Sequence, residues 1–344
     1  YANRWPLADD LVEAIQAASS ADALVAAARQ VQASAAAMVD RGESAARISE
    51  WIAILNDLIV LVAIDLAEAE FDLPLVRWCW LAFGSEGRLE QTLVTDQDNG
   101  IIFATDKGED ADQLRARFLP FAQHVNALLD RCGFSLCKGG VMAGNPKWCL
   151  SLAEWRGCFA EWMRAFSADD LLNSTIFFDF RPLAGDWALP MALKRWLLQM
   201  AADNPLFLRF MAANALRSGP PLGRIRDFVV DRETGQLELK RDGSRPFVDV
   251  ARIYALALGL PETSTAERLR AAGAVLRWDS RECNALVEAL DFIQQLRLRR
   301  QRVPGSPANR VSPDDLNDLE RAFLKESFRQ ARRLQHKLQT RYQL

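Results

Sequence analysis

Three short stretches hold residues whose types and spacing could do chemistry. The first is Phe83-Gly84-Ser85-Glu86-Gly87-Arg88. Glycines and a serine at the end of an apolar run let backbone N–H groups and a hydroxyl approach phosphate oxygens, with Ser85 and Arg88 as candidate ligands. No Gly-Lys-Ser/Thr follows and the dinucleotide fingerprint is absent, so neither of those loops is meant. A turn that merely starts a helix is the plainer reading. The second stretch is Thr95-Asp96-Gln97-Asp98-Asn99. Residues two apart share a strand face, so Asp96 and Asp98 project together, spaced to bracket one or two divalent ions. Two such charges repel unless a cation or arginine lies between them, and a solvated turn is the alternative. An EF-hand is excluded because the twelfth position from Asp96 is Lys107. The third stretch is Phe177-Phe178-Asp179-Phe180-Arg181. Asp179 there is either paired with Arg181, which the spacing favours, or a third metal carboxylate. Charge alone adds Lys147, together with Arg88, as a cation for phosphate, although a solvated loop lysine is the better reading of Lys147 and Arg88 could instead pair with Glu90 or the Asp pair.

The elements that must position these residues are readable in outline. Residues 1–72 read as helices: one capped by Asp22 and stopping at Gly42, then one from Ser44 to Phe71 that is apolar on nearly every face between Trp51 and Leu66. That apolar middle suits a core or an interface, and a homodimer is one expectation. Residues 73–185 mix strands and helices. Strands are predicted at Trp78–Phe83, Asp96–Phe103 and Ile176–Arg181, a helix over Asp110–Cys132, and an extended piece over Phe134–Met142. Trp148, Trp155 and Trp162 repeat every seven residues, the spacing of core residues on a helix. Residues 186–344 are helical again, with Pro190 and Pro205 in first turns, Asn204 as a cap, and a hairpin pairing Phe228–Val230 with Leu237–Lys240. Helices are predicted at Phe247–Leu258, Arg281–Arg302 and Pro313–Gln343, with a loop at Pro304–Pro307. The fold class expected is α+β, predominantly helical, with a small mixed sheet flanked by helical regions.

Composition bounds the function. The 344 residues carry 42 basic and 45 acidic side chains, a net charge of -3, which gives no global support for gripping a nucleic-acid backbone. The charge is uneven, net -8 over residues 1–76 and +7 over residues 294–344. The basic end reads as a solvated face packing on the acidic arm, with an RNA or phosphoprotein contact as the sharper alternative. The longest apolar run, Leu58–Ile64, is far short of the roughly 20 residues needed to span a membrane. Six cysteines without a Cys-x-x-Cys pair, and two histidines, argue against zinc and a histidine triad, and fit reduced thiols in a cytoplasmic protein. The chain opens on Tyr1 without a signal-like stretch, and a preceding partner domain is expected.

The order of strand, Gly-Ser turn, strand with Asp-x-Asp and a later strand with a lone acid resembles the polymerase-β-type nucleotidyltransferase superfamily. The match is closer still to the nucleotidyltransferase family of bacterial signalling proteins that also carry CBS and cyclic-nucleotide-binding domains. Gly84-Ser85-x-Gly87-Arg88-x-Glu90-Gln91, Thr95-Asp96-Gln97-Asp98-Asn99, Gly139-Gly140-Val141-Met142, Asn145-Pro146-x-Trp148 and Phe177–Arg181 carry the resemblance. So do Pro220-Pro221-Leu222-Gly223, Asp249-x-x-Arg252-x-Tyr254-Ala255-Leu256 and Asn309, in what resembles that family's helical substrate-binding domain.

The resemblance implies Gly84 and Ser85 on the triphosphate, Asp96 and Asp98 on magnesium, two ions being expected, and Asp179 as third metal carboxylate and activator of the acceptor. It implies transfer of NMP from an NTP, ATP foremost, to an acceptor hydroxyl, releasing pyrophosphate, in bacterial signal transduction. Relatives at one remove modify nitrogen-regulation proteins, so a protein acceptor is expected. CBS or cyclic-nucleotide-binding domains are the expected N-terminal partners. In the second helical domain Lys240, Asp249 and Arg252 are either cleft residues or, better, ordinary surface charges. The rival expectation is a catalytically silent nucleotide-binding regulatory module; an RNA-directed transferase is a weaker one.

Overall fold

The computed structural model describes residues 9–106, 108–164, 175–223, 228–305 and 307–344. These residues form a predominantly helical α+β protein with a four-stranded mixed sheet and a separate two-stranded one. They divide into two compact units, one holding the described residues of Tyr1–Arg41, Arg47–Glu161 and Ile176–Arg195, the other those of Gly42–Ala46, Trp162–Thr175 and Trp196–Leu344. Among the described residues no helix is long and apolar enough to cross a membrane.

The chain begins with α1 (Asp9–Gln16), α2 (Ala21–Asp40) and α3 (Ala45–Glu68). The cap of α2 is Ser20, whose hydroxyl accepts the Ala23 N–H, and not Asp22. Asp22 instead sits in the first turn and pairs with Arg131 at 2.5 Å. Trp51, Ile52, Leu55, Ile59, Val60 and Ile64 of α3 are all buried within this one chain, so its apolar middle is core.

In the first unit β1 (Trp78–Ala82) runs centrally, antiparallel to β2 (Asn99–Phe103) and to β4 (Arg181–Gly185), while β3 (Cys149–Ser151) lies parallel to β2. The order is β3-β2-β1-β4. Helix α4 (Ala111–Arg131) sets Phe118 and Phe121 against Trp78, Trp80 and Phe103. At the far end of β1, Phe83 meets Phe177 and Trp155, the latter from α5 (Leu152–Arg164). Each such ring contributes about 1.5–3 kcal/mol by leaving water, so the strand ends that carry the motifs are firmly held.

Several predicted elements differ. Thr175–Phe178 form a 3-10 turn and β4 starts only at Arg181, where a strand over Ile176–Arg181 was expected. Phe177, Phe178, Asp179 and Phe180 are all buried, so the apolar-polar alternation there does not mark a half-exposed strand. Phe134–Met142 is a loop that meets the sheet through a Ser135–Asp96 bridge and through the Asn99 N–H, which donates to the Val141 carbonyl at 3.2 Å. Trp148 lies on a 3-10 turn, Pro146–Trp148, and stacks on Trp155 at 6.1 Å; the core reading holds for Trp155, which shares α5 with Trp162, while Trp148 precedes that helix.

In the second unit and the helix leading into it are α6 (Ala188–Ala202), α7 (Pro205–Ala215) capped by Asn204, α8 (Arg245–Leu258), α9 (Thr265–Leu276), α10 (Ser280–Gln301) and α11 (Asp318–Tyr342). The turn at Asp231–Gly235 forms as expected, but the hairpin pairing does not. Strand β5 (Leu237–Glu238) pairs with β6 (Arg310–Val311), and Phe228 bridges Leu222. Asn309 holds this pairing: its carbonyl accepts the Leu239 N–H and its side chain accepts from Arg297. Asp249 and Arg252 pair with each other at 2.7 Å, and Arg252 is buried, so it is not a surface charge; Lys240 is exposed. Ser306 of the expected Pro304–Pro307 loop lies outside the described residues.

Candidate active site

β1 delivers the chain through extended Phe83 into a single helical turn, Gly84–Gly87. Gly84 has φ +57, and a Cβ there would come within 2.9 Å of Ile176 Cγ1 and 3.1 Å of Asp98 Oδ2. Gly87 has a different reason: a Cβ would stand 2.1 Å from the Asp179 carbonyl oxygen and 2.9 Å from that of Ala82. Just past the turn Leu89 holds φ 59, a left-handed conformation that costs a non-glycine residue about 1–3 kcal/mol and persists only where neighbours enforce it. The Glu90 N–H closes the segment onto the Ser85 carbonyl at 2.8 Å.

The Asp-x-Asp segment arrives beside this turn. The Phe83 N–H donates to the Asp98 carbonyl at 2.8 Å, which carries the β1–β2 ladder beyond Asn99. Asp96 is exposed and Asp98 half-buried, whereas Gln97 and Asn99 are each only 1% exposed. The two aspartates therefore share the open side, as strand alternation predicts, although the regular strand starts later than expected.

The buried side is built from amides. Asn126 of α4 donates to Gln97 Oε1 at 2.8 Å and Asn99 Oδ1 at 3.0 Å, and accepts the Gly144 N–H at 2.9 Å. Gln97 donates to the carbonyls of Asn126 and Phe134, and Asn99 accepts the Ala143 N–H. This network fastens the loop before β3 to the underside of the aspartate pair. It was missed from the sequence, where a lone Asn within the apolar stripe of a helix was its only signal.

Asp179, expected to face Arg181 or a metal, is fully buried and pairs with Arg88 at 2.7 Å, while Arg88 also holds Glu90 at 2.7 Å. Arg181 pairs instead with Asp57 of α3 at 2.6 Å and donates its Nε–H to the Glu86 carbonyl at 3.1 Å. Glu86 itself is buried, and burial pushes its carboxyl up to about 8, with Arg181 opposing and Asp57 and Asp98 adding to the shift. Its carboxyl accepts the Asp98 backbone N–H, so Glu86 joins the Gly-Ser turn to the Asp-x-Asp segment. Burial likewise raises the Cys137 thiol, which faces the Asp98 carboxylate. Lys147 is exposed in a turn capped by Asn145, the arrangement of a solvated loop lysine.

Whether these residues fit magnesium depends on their donors. Mg²⁺ takes hard oxygens, commonly one or two carboxylates plus substrate phosphates and water. Asp96 and Asp98 meet that need, and the missing Cβ of Gly84 leaves room against Asp98 Oδ2. Asp179 does not join them, being shut from solvent and engaged by Arg88. Among the described residues no group of three His, Cys, Asp or Glu is placed to hold a metal ion.

Comparison with known families agrees with this layout. Residues 29–169 match the model described as putative nucleotidyltransferase DUF294, and residues 205–342 match the putative nucleotidyltransferase substrate binding domain. The first match takes in most of α2, all of α3, the Gly-Ser turn and both aspartates; Asp179 and Arg181 fall between the two. No curated protein matches the chain.

Proposed function

We propose, on the premise that the chain belongs to this nucleotidyltransferase family with its substrate-binding domain, that it transfers an NMP group from an NTP, ATP foremost, to an acceptor hydroxyl. The observation that carries the reading is the meeting of two motifs: the Gly84 turn stands directly against Asp98 Oδ2. Gly84 and Ser85 would contact the triphosphate through backbone N–H groups and the Ser85 hydroxyl. Asp96 and Asp98 would supply the carboxylate oxygens for magnesium, which when bound offsets charge on the phosphates and on the departing pyrophosphate. Arg88, locked between Glu90 and Asp179, which offset its charge, fixes the segment behind the turn, and Asp179 acts through it by positioning. Positioning and electrostatics carry such a transfer, since the protein forms no covalent bond to the nucleotide in it. A protein acceptor in a signalling pathway, and CBS or cyclic-nucleotide-binding partners, belong to the same proposal. Six free thiols, four of them buried, support a reducing, cytoplasmic setting.

Pyrophosphate release in the presence of NTP and magnesium tests this. Ser85→Ala should weaken NTP use severalfold while leaving the melting temperature unchanged. A second reading, a nucleotide-binding regulatory module without turnover, is favoured by one observation: Asp179 is tied to Arg88 and is not available to activate an acceptor. NTP binding with no pyrophosphate release under any acceptor would select it.

A further inference from the structure

We propose that Asn56 and Asp57 of α3 are positioning residues for the nucleotide turn, so that the helix preceding the sheet is a working part of the transfer site. The inference rests on the reading of the Gly-Ser turn as the triphosphate cradle. The middle of α3 is apolar on nearly every face, and a polar pair there is costly unless its groups are used. Both are used on one segment. Asp57 holds Arg181 at 2.6 Å, and Arg181 reaches the Glu86 carbonyl at 3.1 Å. Asn56, 8% exposed, donates to Gln91 Oε1 at 3.3 Å.

The two tethers therefore grip the two ends of Glu86–Gln91, and between them lies Leu89 with its φ of 59. A strained residue keeps its conformation only when surrounding contacts over-determine it, and these supply that constraint. From Glu86 the link continues to the Asp98 backbone N–H, so a displacement of α3 is felt by both the turn and the aspartate pair. Arg181 serves both partners because its guanidinium is a fork, Nε toward the carbonyl and a terminal nitrogen toward Asp57. The family match beginning at residue 29 includes α3 with the turn, as this role requires.

The test uses the full chain with Asp57→Asn, Asp57→Glu and Arg181→Lys, read by amide hydrogen exchange over residues 84–91 and by the NTP dependence of pyrophosphate release. Arg181→Lys keeps a charge facing Asp57 and gives up the carbonyl bond, so it serves where Asp57→Asn does not fold. Asp57→Asn and Arg181→Lys should speed exchange in 84–91 while β1 and β2 stay protected. They should raise KM for NTP about tenfold with a much smaller change in kcat, the scale of one hydrogen bond to a charged group. Asp57→Glu should restore both readouts in large part. Exchange over 84–91 equal to wild type in both variants would overturn the tether. A wild-type chain that turns over no NTP, but whose turn still loosens in the variants, would leave the tether standing and count against the proposed function.

Discussion

Replacing Gly87 by alanine puts a methyl carbon where the main chain of another segment already lies. The new Cβ would be 2.1 Å from the Asp179 carbonyl oxygen and 2.9 Å from the Ala82 carbonyl oxygen. Neither atom belongs to a side chain that can rotate away. Non-bonded atoms settle more than 3 Å apart, so the Asp179 backbone must retreat by about 1 Å. That retreat also drags the carboxylate from Arg88. Overpacking of this kind costs about 3 kcal/mol, the upper end of its usual range. For a unit of this size that lowers the melting temperature by about 6–12 °C. Gly157→Ala is the matched control: Gly157 is exposed inside α5 with nothing within 4 Å of a new Cβ, and alanine should stabilise that helix by about 0.5–1 kcal/mol. Calorimetry of the two variants beside wild type gives shifts of opposite sign. A Gly87→Ala protein melting as wild type does would refute the close approach of Asp179 to the turn.

Asn126→Leu keeps the branching of the buried amide with bulkier methyls, takes away the partners of Gln97 Oε1 and the Gly144 N–H and leaves Asn99 Oδ1 with the Ala143 N–H alone, so denaturant titration should show a loss of about 3 kcal/mol or more, with faster exchange of the Ala143 and Gly144 amides. Asp96→Ala removes an exposed side chain and should change stability by less than about 0.5 kcal/mol while abolishing transfer. Burial alone would raise the Glu154 carboxyl, but the Ser151 N–H and hydroxyl and the Arg115 guanidinium outweigh it and hold it below the usual carboxylate range. A depressed carboxyl contributes stability above its unfolded pKa and loses it as pH falls through its folded one. The stability gap between wild type and Glu154→Gln should thus be widest near neutral pH and close in acid, as read by urea midpoints across pH.

How far the sequence reaches depends on the range of the interaction that decides each feature. The shared side of Asp96 and Asp98 follows from the two-residue repeat of extended backbone, a local property, and it holds even where the regular strand has not begun. The Gly-Ser turn is legible for the same reason. The partner of Asp179 is not, because Arg88 lies 91 residues away and Arg181 only two, and local spacing favours the wrong arginine. Alternation over Ile176–Arg181 misleads because every side chain from Phe177 to Phe180 is buried, so no solvent face imposes the pattern. With three residues, β3 is too short to show a period at all. The polar pair of α3 was not singled out in the apolar Trp51–Leu66 stretch, since its use appears only once Arg181 and Gln91 are placed beside it.

The central claim is tested most directly by incubating the chain with magnesium and each of the four NTPs labelled at the α phosphate, with and without host lysate. An Asp96→Ala/Asp98→Ala variant of equal melting temperature serves as the control. Nucleotidyl transfer at this site predicts label from the α phosphate on an acceptor, with matching pyrophosphate release, from wild type alone. NTP bound tightly by wild type without transfer, or transfer undiminished in the double variant, would contradict it.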